Sequence, residues 1–492
     1  MPGITILHTN DVHGSYSAVD AYTGEPSKDI IGHDTIAAVY EAFQKEEGPV
    51  FLLDAGDATQ GVYFVTQNEG QAAIEIMNAA GMTLGNHEFD YGWFRLLQLI
   101  GAADFPILSQ IADEESAQTD NLLHYTVIER GGVRLGVFGI TTPETQFKSN
   151  GGFGRDFGTA DSIVTYARDM ARTLREEEGA DYVVCLAHLG VEDMGFGTGY
   201  DIRDNAEGID LIIDGHSHTV LADIENIERM TQITSAGAYG KNLGVARLSR
   251  NEGELVTELE LMDKAACEKY TPQAKVTAVI QKWSGEVAQE GKMVVAQVPF
   301  DITIARENER TRETVMGDIL TDAMRAVSGA DIAMQNGGSI RDQELAAGDV
   351  TKAQLITILP YGNVLQMAEV RGSAVLECLE QSVSMYPEAN GGFIQVSGLE
   401  FSFDPAQPPG RRVSAVRVGD EELEPDKVYT LCTNDFVAAG GDLYTMLIEP
   451  FSAQLQLMRP EYMAIENALI WYLEENQDAL PSQTQGRIFV TE

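Results

Sequence analysis

The stretch "LIIDGHSHTV", residues 211–220, sets two histidines, His216 and His218, directly after an apolar run. Leu211 to Ile213 read as the end of a central β-strand, and Gly215 as the turn leaving it. In extended backbone, residues i and i+2 point to the same side, so both imidazoles can aim at one point. Converging imidazoles suggest a metal, and the rest of the chain supplies further donors. "HTNDVHG" carries Asp11 and His13, "DAGDATQG" carries Asp57, "GNHEFD" carries Asn86, His87 and Asp90, and "AHLG" carries His188. Each cluster follows a strand-like run, and in layered α/β folds ligands sit beyond the carboxyl ends of strands. Of the chain's 8 histidines, five are among these residues: His13, His87, His188, His216 and His218. One histidine on an apolar face is ordinarily a satisfied core residue. Five polar clusters together are costly to bury without a cation.

The donors are nitrogens and oxygens, with no thiolate. That set suits zinc, manganese, iron, cobalt or nickel, and disfavours calcium, which prefers oxygen alone. Four histidines, two aspartates and an asparagine exceed what one ion needs. Shared between two ions, with one carboxylate bridging, they fit a dinuclear site. Two ions about 3.5–4 Å apart clamp an in-line displacement at phosphorus, with a shared hydroxide as nucleophile.

Around these clusters the first half alternates β-branched runs with helical patterns. "GITILHT", "PVFLLDAG", "GMTLGN", "FPILSQ", "DYVVCLAH" and "IDLIIDGH" are the runs, and "DTIAAVYEAFQKEEG" and "SIVTYARDMARTLREEEG" have helical period. This predicts an α/β layered domain. "HYTVIERGGVRLGVFGIT" predicts a hairpin turning at Gly131-Gly132. A strand pair, "TQITSAGAYG" with "LGVARLSRNEGELVTELELM", closes the domain over 1–262. A polar helical connector follows over 263–294. A second α/β domain then occupies 295–492, with strands "ADIAMQN", "NVLQMAEV", "LEFSFD" and "KVYTLCTND".

The net charge of −43 argues against nucleic-acid or anionic-membrane partners, which need basic surface. An anionic substrate would need local cations to offset that field. No stretch approaches the roughly 18 apolar residues of a membrane span, and no charged leader precedes "GITILHT". The expectation is a cytoplasmic chain, or an exported one shown without its leader. Cys185, Cys267, Cys378 and Cys432 are scattered, which predicts reduced core thiols rather than a disulfide framework.

The set D-x-H, G-D, G-N-H-E, H and G-H-x-H resembles the calcineurin-like metallophosphoesterases. The forms "LHTNDVHG", "TLGNHEFDYG" and "IDGHSHT" resemble their 5′-nucleotidase branch, which includes the bacterial UDP-sugar hydrolase/5′-nucleotidases. The likeness extends through the second domain in "RTRETVMGDILTDAM", "NGGSIR", "ILPYGN", "QVSGL" and "NDFVAAGGD". It implies a β-sandwich flanked by helices, followed by an α/β substrate-binding domain. It implies two divalent ions, of zinc, manganese or cobalt: Asp11, His13 and His218 on the first, Asn86, His188 and His216 on the second, Asp57 bridging. Asp54 and Asp214 would orient the ligands or make local turns. His87 matches the family's catalytic histidine, with Asp90 orienting its ring. Arg310, Asn336, Arg341 and Asp442 match substrate contacts, and Tyr361 and Phe436 match the rings that stack on a nucleobase.

Three departures accompany the likeness. Ser339 replaces the third glycine of "NGGGIR", which predicts a less close backbone approach there. Tyr361 stands where phenylalanine is common. Relatives carry more residues after the helix-closing glycine, here Gly81, so the strand entering "MTLGNHEFD" is short or residues are missing. The implied activity is removal of the 5′-phosphate from nucleotides. The rivals are nucleotide-sugar pyrophosphatase action, 2′,3′-cyclic phosphodiesterase action, and non-catalytic nucleotide binding.

Overall fold

A computed structural model describes residues 2–19, 26–77, 81–112, 119–149, 155–191, 195–222, 231–361, 363–453 and 464–491. The chain divides into two compact units, Met1–Ala288 and Gln289–Glu492.

In the first unit the strands are β1 (Ile4–Thr9), β2 (Val50–Asp54), β3 (Gly81–Thr83), β4 (Ile107–Leu108), β5 (Leu122–Leu123), β6 (Tyr125–Arg130), β7 (Val133–Thr141), β8 (Tyr182–His188), β9 (Leu211–Asp214), β10 (Val220–Ala222), β11 (Gln232–Ala236), β12 (Asn242–Asn251) and β13 (Glu254–Asp263). They form a sheet ordered β13-β12-β1-β2-β3-β4-β5 and a second ordered β10-β11-β9-β8-β7-β6. The period of two in strand side chains builds the layers. Ile4, Ile6, Phe51 and Leu53 of the first sheet share one core with Leu135, Val137, Val184, Leu186, Leu211 and Ile213 of the second. The alternate residues face outward onto helices. Leu7 and Val50 meet Ile36, Val39 and Phe43 of the helix His33–Glu46. Val183 and Cys185 meet Ile163, Ala167 and Ala171 of the helix Ala160–Arg172. Strands buried on both faces read as continuous apolar runs, which is what "YVVCLAH" and "LIID" are.

Two turns fix local register. Gly131 and Gly132 both have positive φ (59° and 77°), as a two-residue hairpin loop requires. The long "LGVARLSRNEGELVTELELM" segment is two strands, β12 and β13, turning at Glu252-Gly253. The expected pairing of "TQITSAGAYG" with it is corrected: β11 belongs to the other sheet, where it runs parallel to β9. Gly81 is also corrected. It opens β3, paired with Leu53, rather than closing a helix. The preceding helix ends at Met77, and residues 78–80 lie outside the described set.

Helices Lys264–Cys267 and Ala274–Gly291 follow β13. The second is tied into the first unit by Thr277 Oγ1 on Asp34 (2.8 Å) and Trp283 Nε1 on Glu75 (2.9 Å). In the second unit, Leu365–Arg371, Val428–Asn434, Ile332–Asn336 and Ile394–Ser397 form one four-stranded sheet in that order. Helix Val315–Ser328, capped by the Thr314 hydroxyl at its start and by Gly329 (φ 70°) at its end, packs Ile319, Leu320 and Met324 into that unit's core. All four cysteines are buried and free. Among the described residues, no helix is long and apolar enough to cross a membrane.

Candidate metal centre

The donors follow the ends of β1, β2, β3, β8 and β9. Strands β1, β2 and β3 run parallel, as do β8 and β9, so within each sheet these loops emerge at one edge. Asp11, His13, Asp57, His216 and His218 all hold positive φ, between 47° and 76°. Left-handed backbone costs a non-glycine residue of order 1–3 kcal/mol and persists only where its surroundings enforce it. Here the enforcement is hydrogen bonding between loops. Asp11 N–H donates to Gly56 O and His13 N–H to Asp57 O, both at 2.9 Å. His216 N–H donates to Asp11 Oδ1, also at 2.9 Å. Gly85 is required for close approach, since a Cβ there would lie 2.2 Å from Asp57 Oδ1.

These loops create two groups able to hold a cation: Asp11, His13 and His218, and Asp57, His188 and His216. Asp57 faces both. Its Oδ2 lies 3.2 Å from His188 Nε2 and 3.8 Å from His13 Nε2. Asn86 Oδ1 lies 2.9 Å from His216 Nδ1.

The partners on the far sides of the rings each take one N–H, because a carbonyl or carboxylate oxygen only accepts. His188 Nδ1–H donates to Ala55 O (2.7 Å), His13 Nδ1–H to Gln60 O (3.0 Å), and His216 Nε2–H to Glu144 Oε2 (2.7 Å). Each ring therefore keeps its other nitrogen facing inward. His188 Nε2 is buried, with Asp57 Oδ2 as its polar neighbour at 3.2 Å. His216 Nδ1 faces the Asn86 oxygen.

Burial drives these groups toward neutrality. It pushes Asp11 up to about 8 and His218 down to about 4, and holds His13 and His216 below the imidazole range. His188 moves the other way: burial opposes its charge, but the Asp57 and Asp11 carboxylates with the Ala55 carbonyl together outweigh burial and raise it to about 10. Buried imidazole nitrogens and carboxylate oxygens gathered in two groups, with one carboxylate between imidazoles, fit divalent cations with nitrogen and oxygen ligands.

His87 belongs to neither group. Its ring lies edge-on to His13, with centroids 5.3 Å apart, and its Nδ1 pairs with Asp90 Oδ2 at 2.6 Å. Burial pushes Asp90 up to about 6. Asp54 and Asp214 each join a local turn to the end of a neighbouring strand: Asp54 accepts from Gly56 N–H and Thr9 Oγ1, and Asp214 from Gly215 N–H and the N–H groups of Leu189 and Gly190.

In the second unit, Asn336 donates to Asp442 Oδ2 (2.8 Å), and the Arg341 guanidinium lies 5.0 Å from the Tyr361 ring centroid. Arg310 reaches the Gly338 carbonyl at 3.5 Å, while its buried Nε has no partner. Phe436 packs against Gly441, where a Cβ would lie 2.6 Å from the ring. Ser339 is buried and donates to the Asn336 carbonyl (2.7 Å) and side-chain oxygen (3.0 Å). Its hydroxyl points into the protein.

The family model for calcineurin-like phosphoesterases matches residues 4–220, and that for the 5′-nucleotidase C-terminal domain matches residues 292–449. The chain belongs to the calcineurin-like phosphoesterases that carry a 5′-nucleotidase C-terminal domain. A 5′-nucleotidase of Diplobatis ommata is 29% identical, over 97% of this chain and 91% of its own length. The trifunctional nucleotide phosphoesterase protein YfkN of Bacillus subtilis is 29% identical over 91% of this chain, and the chain spans 32% of that relative's length. The crystal structure of a 5′-nucleotidase precursor from Thermus thermophilus is 28% identical with a TM-score of 0.75, covering 100% of this chain and 99% of its own. A Staphylococcus aureus structure, 22% identical with a TM-score of 0.83 and covering 100% of both chains, shares the fold.

Two residues of this phosphoesterase site escaped the sequence reading. Glu88, inside the quoted "GNHEFD", accepts from the N–H groups of Gly85, Asp57, Ala58 and Thr59 at 2.6–3.0 Å, stapling the β2 and β3 loops together. Glu144 lies beyond the end of β7. Its place past a strand end is the signal for it, but the hairpin pattern in "HYTVIERGGVRLGVFGIT" marks only the other end of β7.

Proposed function

We propose that this protein removes the 5′-phosphate from nucleotides by metal-dependent hydrolysis, with the chemistry in the first unit and nucleoside recognition in the second. The observation that carries the reading is Asp57, whose single Oδ2 faces imidazoles of both ligand groups. Asp11, His13 and His218 would hold one divalent ion and Asn86, His188 and His216 the other, with Asp57 facing both groups. Zinc, manganese or cobalt suits these ligands. When bound, the ions supply Lewis-acid polarisation of a phosphoryl oxygen and activation of water.

The chain's own residues do the rest. Asp90 holds the His87 ring through Nδ1, so a proton on Nε2 can serve the leaving oxygen or the charge developing on the phosphoryl group. The Asp57 carboxylate also accepts the His87 backbone N–H (2.9 Å), which fixes this residue relative to the ligands. In the second unit, Arg310 and Arg341 supply the local positive charge that an anionic substrate needs against a net charge of −43. Tyr361 and Phe436 stack the nucleobase, and Asn336 and Asp442 bind the nucleoside.

A phosphate-release screen tests the reading. Mononucleotides, nucleotide sugars and 2′,3′-cyclic nucleotides are each offered with manganese, zinc and cobalt. The expected result is the highest kcat/KM on 5′-mononucleotides. Preference for a nucleotide sugar or cyclic nucleotide would replace this substrate, and absence of turnover on all three would overturn the reading.

A further inference from the structure

The two ligand groups differ in how firmly the protein holds them before any ion arrives. In the Asp57–His188–His216 group, every histidine is clamped from behind. His188 donates to the Ala55 carbonyl and His216 to the Glu144 carboxylate, and the Glu144 side chain is 3% exposed. The first group has one clamp, the Gln60 carbonyl on His13. His218 turns its Nε2 toward His13 Nε2 (3.0 Å) and Asp11 Oδ1 (3.7 Å). Among the described residues no hydrogen bond fixes its other nitrogen, and its side chain is 38% exposed against 19% for His216.

Glu144 has three effects through His216. It holds Nε2–H and so leaves Nδ1, on the inner face beside Asn86 Oδ1, as the atom the ring can offer an ion. It sets the plane of the ring, and its negative charge makes that ring a stronger donor. Carboxylate partners of ligating histidines typically contribute 10–100-fold in metal affinity. We propose that Glu144 is a positioning residue of the metal centre, and that through it the Asn86–His188–His216 side retains its ion more tightly than the Asp11–His13–His218 side. The proposal rests on the metal-centre reading above, but not on the identity of the substrate.

The test reads metal rather than turnover. Full-length protein loaded with zinc is placed in excess EDTA, and zinc remaining per chain is followed by mass spectrometry. The expected wild-type course has two phases of equal amplitude, their rates at least tenfold apart. Glu144→Gln keeps an acceptor for Nε2–H but loses the charge, so its slow phase should quicken by about tenfold. Glu144→Ala loses both and should quicken it toward 100-fold, with the fast phase unchanged in each variant. His218→Ala should remove the fast phase and spare the slow one. Unchanged slow release in Glu144→Gln and Glu144→Ala would overturn the role of Glu144, and the near-isosteric Gln variant decides alone if the Ala variant fails to fold. A single-phase wild-type course, or loss of the slow phase in His218→Ala, would overturn the asymmetry. Failure of wild-type protein to load two ions would instead sink the dinuclear reading beneath it.

Discussion

In the first unit, Asp57, Asn86 and the inward nitrogens of three imidazoles crowd potential metal ligands together. In the second, Gln335, Asn336, Ser339, Asn434 and Asp442 pair donor with acceptor. Asn434 Nδ2 donates to Asn336 Oδ1 (2.8 Å) and Gln335 Oε1 (3.2 Å), and Asn336 Nδ2 donates to Asp442 (2.8 Å). The first arrangement is incomplete and calls for cations. The second is nearly complete in itself, a mostly buried amide network that holds the Asp442 carboxylate, with positive charge added by Arg310 and Arg341. One unit is therefore built to hold ions and the other to recognise a substrate, and substitutions in the two should fail in different ways.

The largest effect should come from Asp57→Asn. An amide keeps the shape but removes the charge that faces both ligand groups, and turnover should fall below detection with metal content reduced. Elemental analysis beside a phosphate-release assay checks both halves. Full activity with one ion per chain would break the comparison, because the first unit would then not be a two-ion site. His87→Asn should come next, lowering kcat by roughly 10²–10⁴, the range for a general acid or electrophile, while both ions stay bound. Metal loss in that variant would move His87 among the ligands. Asp90 adds a pH signature. Its pKa near 6 leaves it ionised above that pH and protonated below it, so kcat should decline as pH falls through about 6. Asp90→Asn should abolish that acid limb, and a limb that survives the substitution belongs to another group.

Substitutions in the second unit should spare a substrate that carries no nucleoside. Tyr361→Ala with Phe436→Ala removes both proposed stacking rings. Base–aromatic stacking is worth about 1–3 kcal/mol per base in nucleic-acid binders, so nucleotide KM should rise tenfold or more. Hydrolysis of an activated aryl phosphate should be nearly untouched. Equal loss on both substrates would mean that these rings support the fold rather than the base.

The same contrast explains what was legible in the sequence. Unsatisfied titratable groups stand out: Asp11 and His13, or His216 and His218, sit at i, i+2 beyond apolar strands, and few core designs would place them there. The layered α/β architecture was legible for a related reason, since "YVVCLAH" and "LIID" are apolar on both faces. The second unit's network left no such mark. Asn336, Ser339 and Asn434 are ordinary polar residues whose partners are 3 to 106 positions away, and only resemblance drew attention to them. Glu144 escaped because its partner, His216, is 72 residues distant and no spacing rule links them. β11 was assigned to the wrong partner because parallel pairing with β9 depends on tertiary packing rather than on a turn.

The smallest predicted effect lies at Ser339. Its hydroxyl accepts from the Gln335 side-chain amide and donates to the Asn336 carbonyl and side-chain oxygen. Asn336 in turn holds Asp442 through Nδ2. Ser339→Gly removes an acceptor that Gln335 cannot replace from solvent, since Gln335 is fully buried. A buried donor left unpaired costs about 1–3 kcal/mol, and glycine adds backbone freedom to the unfolded chain, so thermal unfolding should begin at lower temperature. The catalytic consequence is smaller, because Asn434 still holds Asn336 Oδ1 and the amide keeps its orientation toward Asp442. Nucleotide KM should therefore rise by only a few fold, with kcat and aryl phosphate hydrolysis unchanged and metal content intact. An unchanged KM in a destabilised variant would confine Ser339 to the fold. A fall in kcat with KM constant would mean that the second unit acts on the chemical step, and the division of labour between the two units would have to be abandoned.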